Sequence, residues 1–334
     1  MIGYYIHHVG RGHLHLAMSI AGHLDQPVTA LSSLARPPDW SDDWIQLPRD
    51  DENTQPIDPT AHGQLHWAPR YDRGLQDRMA KICDWIRDVR PAAIVVDVSV
   101  EVVVLSRLLG LPVITGTLPG IRQDPPHRLG HELADLILAP WPFRYHAIAP
   151  ELARYLCKTV FIGAVSRFDT RESPPRAPAG ARRVLVLEGL GGDSFLRNDL
   201  ADLQAATPGW QWSALGAQNW LEDPWSAICA ADVVVAHCGL GSLADVAAAG
   251  KPLIAIPASR PHDEQVCTAA ALKHAGLAVV LFAAPALGEW VGLLDSAVNL
   301  GGGRWSEWSD RAGGARAAEA IDEFVRSRTG TVIV

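Results

Sequence analysis

The chain has 334 residues, 48% of them apolar and 20% charged, which is globular composition with material for about two domains. Its net charge of −8 argues against a broad nucleic-acid-binding surface. No stretch of about 18 uncharged apolar residues is present, so no membrane span is expected.

Five cysteines, at 83, 157, 229, 238 and 267, are scattered and form no CxxC pair. Free thiols in a reducing cytoplasm are expected, and no zinc site. The first eight residues lack a basic leader and a small-residue cleavage site, and read as a strand.

Short β-rich runs then alternate with helical segments, the pattern of parallel sheets covered on both faces. Strands are predicted at 2–7, 27–31 and 44–47, with an amphipathic helix at 14–24 between the first two. Residues 48–70, rich in Pro, Asp, Asn and His, read as a loop that is either an acceptor loop or disordered. A helix follows at 74–89, where Leu75, Met79, Ile82, Cys83 and Ile86 keep helical spacing. Further elements are a strand at 93–96 ending at Asp97, a helix at 101–109 stopped by Gly110, and strands at 112–115, 136–138 and 160–162. Three prolines and several charges in 166–181 forbid regular structure and make that segment a linker. The alternation restarts beyond it. Strands are predicted at 184–188, 211–215, 232–236, 253–256 and 278–282, and helices at 195–206, 225–230, 241–249, 265–274 and 286–300. A final amphipathic helix is predicted at 305–326. The predicted domains are 1–165 and 182–310, joined by that linker, with the last helix crossing back to the first domain.

The strongest motif lies at 233–245: a buried strand, then His237-Cys238-Gly239-Leu240-Gly241-Ser242, then a helix carrying Asp245. A helix start exposes unpaired amides at the positive end of its dipole, and a diphosphate is a natural occupant. His237 and Ser242 add side-chain donors, and Asp245 suits a ribose. The next loop carries His262-Asp263-Glu264-Gln265, acids and an amide fit to pair with sugar hydroxyls. A plain capped helix start and a solvated acidic helix terminus are the competing structural readings.

His237-Cys238-Gly239-x-x-Ser242-x-x-Asp245, Gly250-x-Pro252 and Glu264-Gln265 together resemble the donor signature of the GT-B glycosyltransferases, in the UDP-glycosyltransferase and MurG-like superfamily. The family pattern is H-C-G-x-x-S-x-x-E, G-x-P, D-Q, so Asp245 and Glu264 each depart by one methylene. The resemblance implies two Rossmann-like domains facing a cleft. It implies a donor diphosphate held by Gly12, Gly189, Gly191, Gly192, His237, Gly239, Gly241 and Ser242. Asp245, Trp220 and Leu221 would hold ribose and base, and Asp263, Glu264 and Gln265 the donor sugar. In the first half, Gly10-Arg11-Gly12-His13 resembles the family's acceptor-side loop, which makes His13 the catalytic base and Asp97 its partner. A cap on the following helix is the competing reading of Asp97. His7, His8 and His15 lie close enough to be confused with His13. Strand alternation predicts that His7 and His8 face opposite ways.

The resulting expectation is a glycosyltransferase that moves a sugar from a nucleotide diphosphate sugar, UDP-sugar first, onto an acceptor hydroxyl. Inversion and metal independence follow from the resemblance. No cofactor and no metal are expected, and UDP-sugar is a co-substrate. Partners would be the donor and an acceptor sugar, lipid-linked glycan or small-molecule hydroxyl, with no nucleic acid. The cytoplasmic placement leaves room for peripheral membrane association. The alternatives are a nucleotide-sugar hydrolase or 2-epimerase on the same fold, and an NAD-dependent oxidoreductase, since Gly239-x-Gly241-x-x-Ala244 matches a dinucleotide fingerprint.

Overall fold

Val-, Ile- and Ala-rich runs form the central strands here because both faces of each sheet are covered, so those strands are buried along their length instead of alternating. The computed structural model describes residues 1–172, 174, 182–188, 200–216 and 219–329. The first sheet contains β1 (Ile2–Tyr5), β2 (Val28–Ser32), β3 (Trp44–Gln46), β4 (Ala93–Val96), β5 (Val113–Gly116), β6 (Leu136–Ala139) and β7 (Thr159–Phe161). All pairings are parallel, in the order β3-β2-β1-β4-β5-β6-β7. On one face, Ile2, Tyr4, Val28, Ala93 and Val95 pack on α1 (Gly12–Ala21). On the other, Tyr5, Leu31, Ile94 and Val96 pack on α2 (Arg73–Val89) and α3 (Val100–Leu108).

The second sheet contains β8 (Arg182–Leu187), β9 (Trp210–Leu215), β10 (Val233–Ala236), β11 (Leu253–Ala255) and β12 (Val279–Val280), in the order β12-β11-β10-β8-β9. Both orders are doubly wound, with switch points between β1 and β4 and between β8 and β10. Ligands bind outside the carboxyl ends of strands at such points. One apolar cluster joins the halves: Ala134, Trp141, Ile148 and Leu152 of the first pack with Leu243, Ala269 and Leu272 of the second.

Asp72, extended and just ahead of α2, accepts a hydrogen bond from the Leu75 amide at 2.8 Å. Asp72→Ala is expected to cost about 1 kcal/mol, the usual loss for an N-cap, read as a lower denaturant midpoint with an unchanged slope.

Three expectations change. The predicted tail helix at 305–326 is broken. Trp305 and Trp308 fill the second half's core through a 3-10 turn, Gly303–Glu307. A separate helix (Gly313–Thr329) then presents Ala317, Ile321 and Val325 to the first half's core beside α1. Two apolar faces with different destinations cannot share one straight helix. The crossing at Gly313 is tight, since a Cβ there would sit 2.4 Å from the Ala164 carbonyl.

A helix at Pro125–Leu133 (α4) and three 3-10 turns, Phe143–Ile148, Pro150–Arg154 and Leu156–Lys158, were not predicted. Prolines at the first helical positions cost no hydrogen bond, so Pro125 and Pro126 start a helix instead of breaking one. Residues 48–70 are pinned and lie away from the cleft described below. The His66 and Trp67 amides donate to Glu101 Oε1 at 2.8 and 3.0 Å, and the Trp67 indole donates to the Asp50 carbonyl.

The remaining helices are α5 (Leu200–Ala206), α6 (Trp225–Ala230), α7 (Leu240–Ala248), α8 (Glu264–Ala275) and α9 (Trp290–Leu300). They follow the predicted spans to within a few residues, with two exceptions. The stretch 195–199 lies outside the described residues, and α9 is preceded by a 3-10 turn, Leu287–Glu289.

Candidate active site

The register Tyr5↔Val96 puts the carboxyl ends of β1 and β4 side by side. The chain leaves β1 through 6–11 and enters α1, whose first turn carries His13. Asp97 leaves β4 buried, its amide bonded to the Tyr5 carbonyl at 3.1 Å. Ser99 caps α3, accepting from the Val102 amide, so Asp97 is not the helix cap. Its carboxylate instead meets His13: Asp97 Oδ2 lies 2.6 Å from His13 Nδ1. Burial works to lower the His13 pKa. The Asp97 charge and contact, with a smaller contribution from Glu264, outweigh it and raise the pKa above its ordinary value.

The neighbouring histidines differ. His7 is pushed down to about 4, first by burial and then by the proximity of His13. The expected opposition of His7 and His8 does not hold. The strand ends at Tyr5, alternation lapses beyond it, and the two rings stack at 5.0 Å and 7°. His8 instead faces Asp51, 3.3 Å away. His15 is also held near 4, by burial and then by Arg167 and Arg11.

Across the gap, β10 ends at Ala236, His237 follows it, and α7 begins after Gly239, with no side chain capping it. Its leading amides therefore keep the dipole's positive end exposed. The His237 Nδ1 lies 2.8 Å from the Ile256 carbonyl, which only accepts, so Nδ1 carries the hydrogen. Gln265 Oε1 accepts from both the Cys238 and Ala258 amides at 2.9 Å, tying this turn to the next loop.

His13, Asp97, Gly12, His237, Gly239, Gly241, Ser242, Asp245, Trp220, Leu221, Glu264 and Gln265 all line one cleft of about 770 Å³. That volume suits a small-molecule site. Asp263 is the exception. It is exposed at φ 53° in the turn before α8 and does not line the cleft. The left-handed turn presents Glu264 and Gln265 inward instead. Gly189, Gly191 and Gly192 lie outside the described residues. Trp220 is 38% exposed at the rim, with the Arg11 guanidinium 5.8 Å from its ring centre.

Two charge pairings escaped the sequence reading. Asp245 accepts from Ser166 Oγ at 2.7 Å and lies 3.3 Å from Arg167 Nε, both in the segment read as a featureless linker. Burial raises the Asp245 pKa to about 6, against the lowering effect of Arg167 and Ser166. Glu264 pairs with Arg122 of the first half at 3.0 Å, 142 positions away in sequence. The only local signal for either pair is a basic residue with no acid at helical spacing.

Two parallel α/β units meeting over a cleft, with a His–Asp pair on one wall and an uncapped helix start on the other, define the GT-B fold. The comparisons agree. Residues 193–292 match the glycosyltransferase family 28 C-terminal domain. A UDP-N-acetylglucosamine--N-acetylmuramyl-(pentapeptide) pyrophosphoryl-undecaprenol N-acetylglucosamine transferase of Sorangium cellulosum (strain So ce56) is 32% identical over 206 residues. That stretch is 53% of this chain and 48% of the relative, so the match spans about half the relative's length. The glycotransferase of kitacinnamycin superposes with a TM-score of 0.66 at 18% identity, over 96% of this chain and 98% of that one. MurG of Acinetobacter baumannii superposes at 0.57 and 15% identity, over 98% and 99%. The chain has the GT-B fold, and residues 193–292 in its second half are similar to a glycosyltransferase family 28 C-terminal domain.

Proposed function

We propose that the protein transfers a sugar from a nucleotide diphosphate sugar, UDP-linked, to an acceptor hydroxyl, with inversion at the anomeric carbon and without a metal on the diphosphate. The observation that carries the reading is the His13–Asp97 pair facing the uncapped start of α7 across one cleft. Asp97 holds the hydrogen on Nδ1, so the lone pair of Nε2 is left to take the acceptor proton. The attacking oxygen displaces the diphosphate, whose charge settles on the amides at 240–242. His237 donates from Nε2 only as the imidazolium, since Nδ1 is spent on Ile256. Asp245 binds ribose with the lone pairs that Ser166 and Arg167 leave, and Trp220 with Leu221 packs on the base. Glu264 and the Gln265 amide group meet the donor sugar.

The acceptor is a lipid-linked glycan or a small-molecule hydroxyl. The name of the Sorangium relative supports the former, and the likeness to the kitacinnamycin enzyme the latter. No helix among the described residues is long and apolar enough to cross a membrane, so a lipid-linked acceptor would be met at the surface. The dinucleotide reading loses support at β11, which is followed by Ile256-Pro257-Ala258 and not by the acid a ribose of NAD requires.

The test is a panel of nucleotides and nucleotide sugars. UDP at 100 times its Kd should stabilise the native state by about 2.7 kcal/mol, read as a raised melting temperature. A UDP-sugar with an acceptor should then yield UDP and a glycoside of opposite anomeric configuration. Release of free sugar or a 2-epimer without acceptor would instead favour the hydrolase or epimerase reading. Stabilisation by NAD alone would sink both.

A further inference from the structure

Outside the cleft, where the two halves touch, four side chains from three separate segments converge. They are His66, Asp124, His127 and His262, each offering a ligand atom within 4.8 Å of the others. We propose that His66, Asp124 and His262 form a binding site for a divalent transition metal of the zinc class, which joins the two halves beside the cleft.

The donor set is two imidazoles and one carboxylate, with a fourth position for water, which suits zinc and its neighbours better than calcium or magnesium. His66 Nε2 lies 3.1 Å from Asp124 Oδ2, and His262 Nδ1 lies 3.8 Å from Asp124 Oδ1. Neighbouring ligand atoms of tetrahedral zinc sit about 3.3 Å apart, given Zn–N and Zn–O bonds of about 2.0–2.1 Å. The two separations, one to each Asp124 oxygen, bracket that value, and all the ligand atoms lie within 4.8 Å of one another, so side-chain adjustments within that span bring them onto one ion. The hydrogen that His66 Nε2 now donates to the carboxylate moves to Nδ1, which frees Nε2 for the metal.

His127 orients this set and does not ligate. Arg122 Nη1 donates to its Nε2 at 2.9 Å, so Nδ1 carries the hydrogen and donates to Asp124 Oδ1 at 2.7 Å. Such a second hydrogen-bonded layer fixes the direction of a ligating carboxylate. Arg122 is itself neutralised by Glu264, so its charge does not stand alone beside the cation.

The backbone carrying each ligand is held. The amides of His66 and Trp67 grip Glu101. Asp124 immediately precedes α4, where Pro125 and Pro126 restrict the chain. His262 has φ 63°, and its carbonyl accepts from the Ile121 amide at 2.7 Å. Gly120 packs so closely there that a Cβ would sit 2.3 Å from the same carbonyl. The three ligands remain partly exposed, which leaves an entry path. His66 and Asp124 belong to the first half. His262 belongs to the second, in the loop that continues into Glu264 and Gln265. A bound ion therefore fixes the loop that lines the cleft, without taking part in the transfer.

The experiment needs neither donor nor acceptor, so it stands or falls apart from the proposed transfer. Metal-free full-length protein is titrated with Zn²⁺ against a chromophoric chelator, and with Co²⁺ by visible absorption. The expected result is one equivalent bound with micromolar or tighter Kd, a tetrahedral Co²⁺ spectrum, and a melting temperature raised by Zn²⁺. His66→Gln and His262→Gln should each weaken Zn²⁺ at least tenfold while keeping the metal-free melting temperature. His8→Gln, in the separate cluster with Asp50 and Asp51, should leave the affinity unchanged. The proposal is overturned by the lack of a stoichiometric site in the parent protein, by parental affinity in both His66→Gln and His262→Gln, or by loss confined to His8→Gln.

Discussion

Replacing His13 with alanine is expected to lower turnover about 10²–10⁴-fold, the usual contribution of a positioned general base, with little change in nucleotide affinity. The pH profile supplies the sharper check. The base works deprotonated, so kcat/KM should rise with pH through the His13 pKa, which Asp97 and Glu264 lift above the ordinary histidine value. The acidic limb should therefore lie above about 6.5. Asp97→Asn removes the charge that favours the imidazolium and leaves the burial that opposes it. Its acidic limb should move to lower pH while its plateau falls, because the amide no longer fixes the Nδ1 hydrogen. An Asp97→Asn enzyme with the parental limb and plateau would refute the pairing as functional.

The largest expected loss of stability follows Asp50→Ala. Arg78 lies in α2 and is only 1% exposed, with its guanidinium bonded to the Tyr5 hydroxyl at 2.9 Å and to Ser33 Oγ. Asp50 is the carboxylate beside it, with Oδ2 3.4 Å from Arg78 Nε. Removing that carboxylate strands a guanidinium away from water. Breaking a buried pair from one side costs about 3–5 kcal/mol. Denaturant unfolding followed by tryptophan fluorescence reads it directly. Removing both charges, as Arg78→Met with Asp50→Ala, should recover most of the loss, because an apolar replacement leaves no uncompensated charge. A double variant as unstable as Asp50→Ala would show that packing and not charge sets the cost.

Arg78 also marks a limit of pattern reading. Helical spacing of Leu75, Met79, Ile82 and Ile86 locates α2 and its inner face, but spacing alone treats a long basic side chain as solvated. The loop bringing Asp50 over the helix, beside the Tyr5 and Ser33 hydroxyls, makes burial tolerable. Asp245 and Glu264 follow the same rule. Each stood in a motif that suggested a ligand, and each is held by a cation that no local pattern announces. His7 and His8 failed for a different reason, because the period-two argument was carried past the last hydrogen-bonded strand residue.

Strand–helix alternation and the turn at 237–242 were determined by the sequence alone, since they depend on side-chain periodicity and backbone sterics within about ten residues. The exclusion of Asp263, the split of the last helix and the His66–Asp124–His262 cluster were decided by tertiary structure. Each depends on segments more than fifty positions apart, or on a backbone turn imposed by packing. Short-range physics shapes the elements, but only their assembly sets which charges meet and which faces are covered.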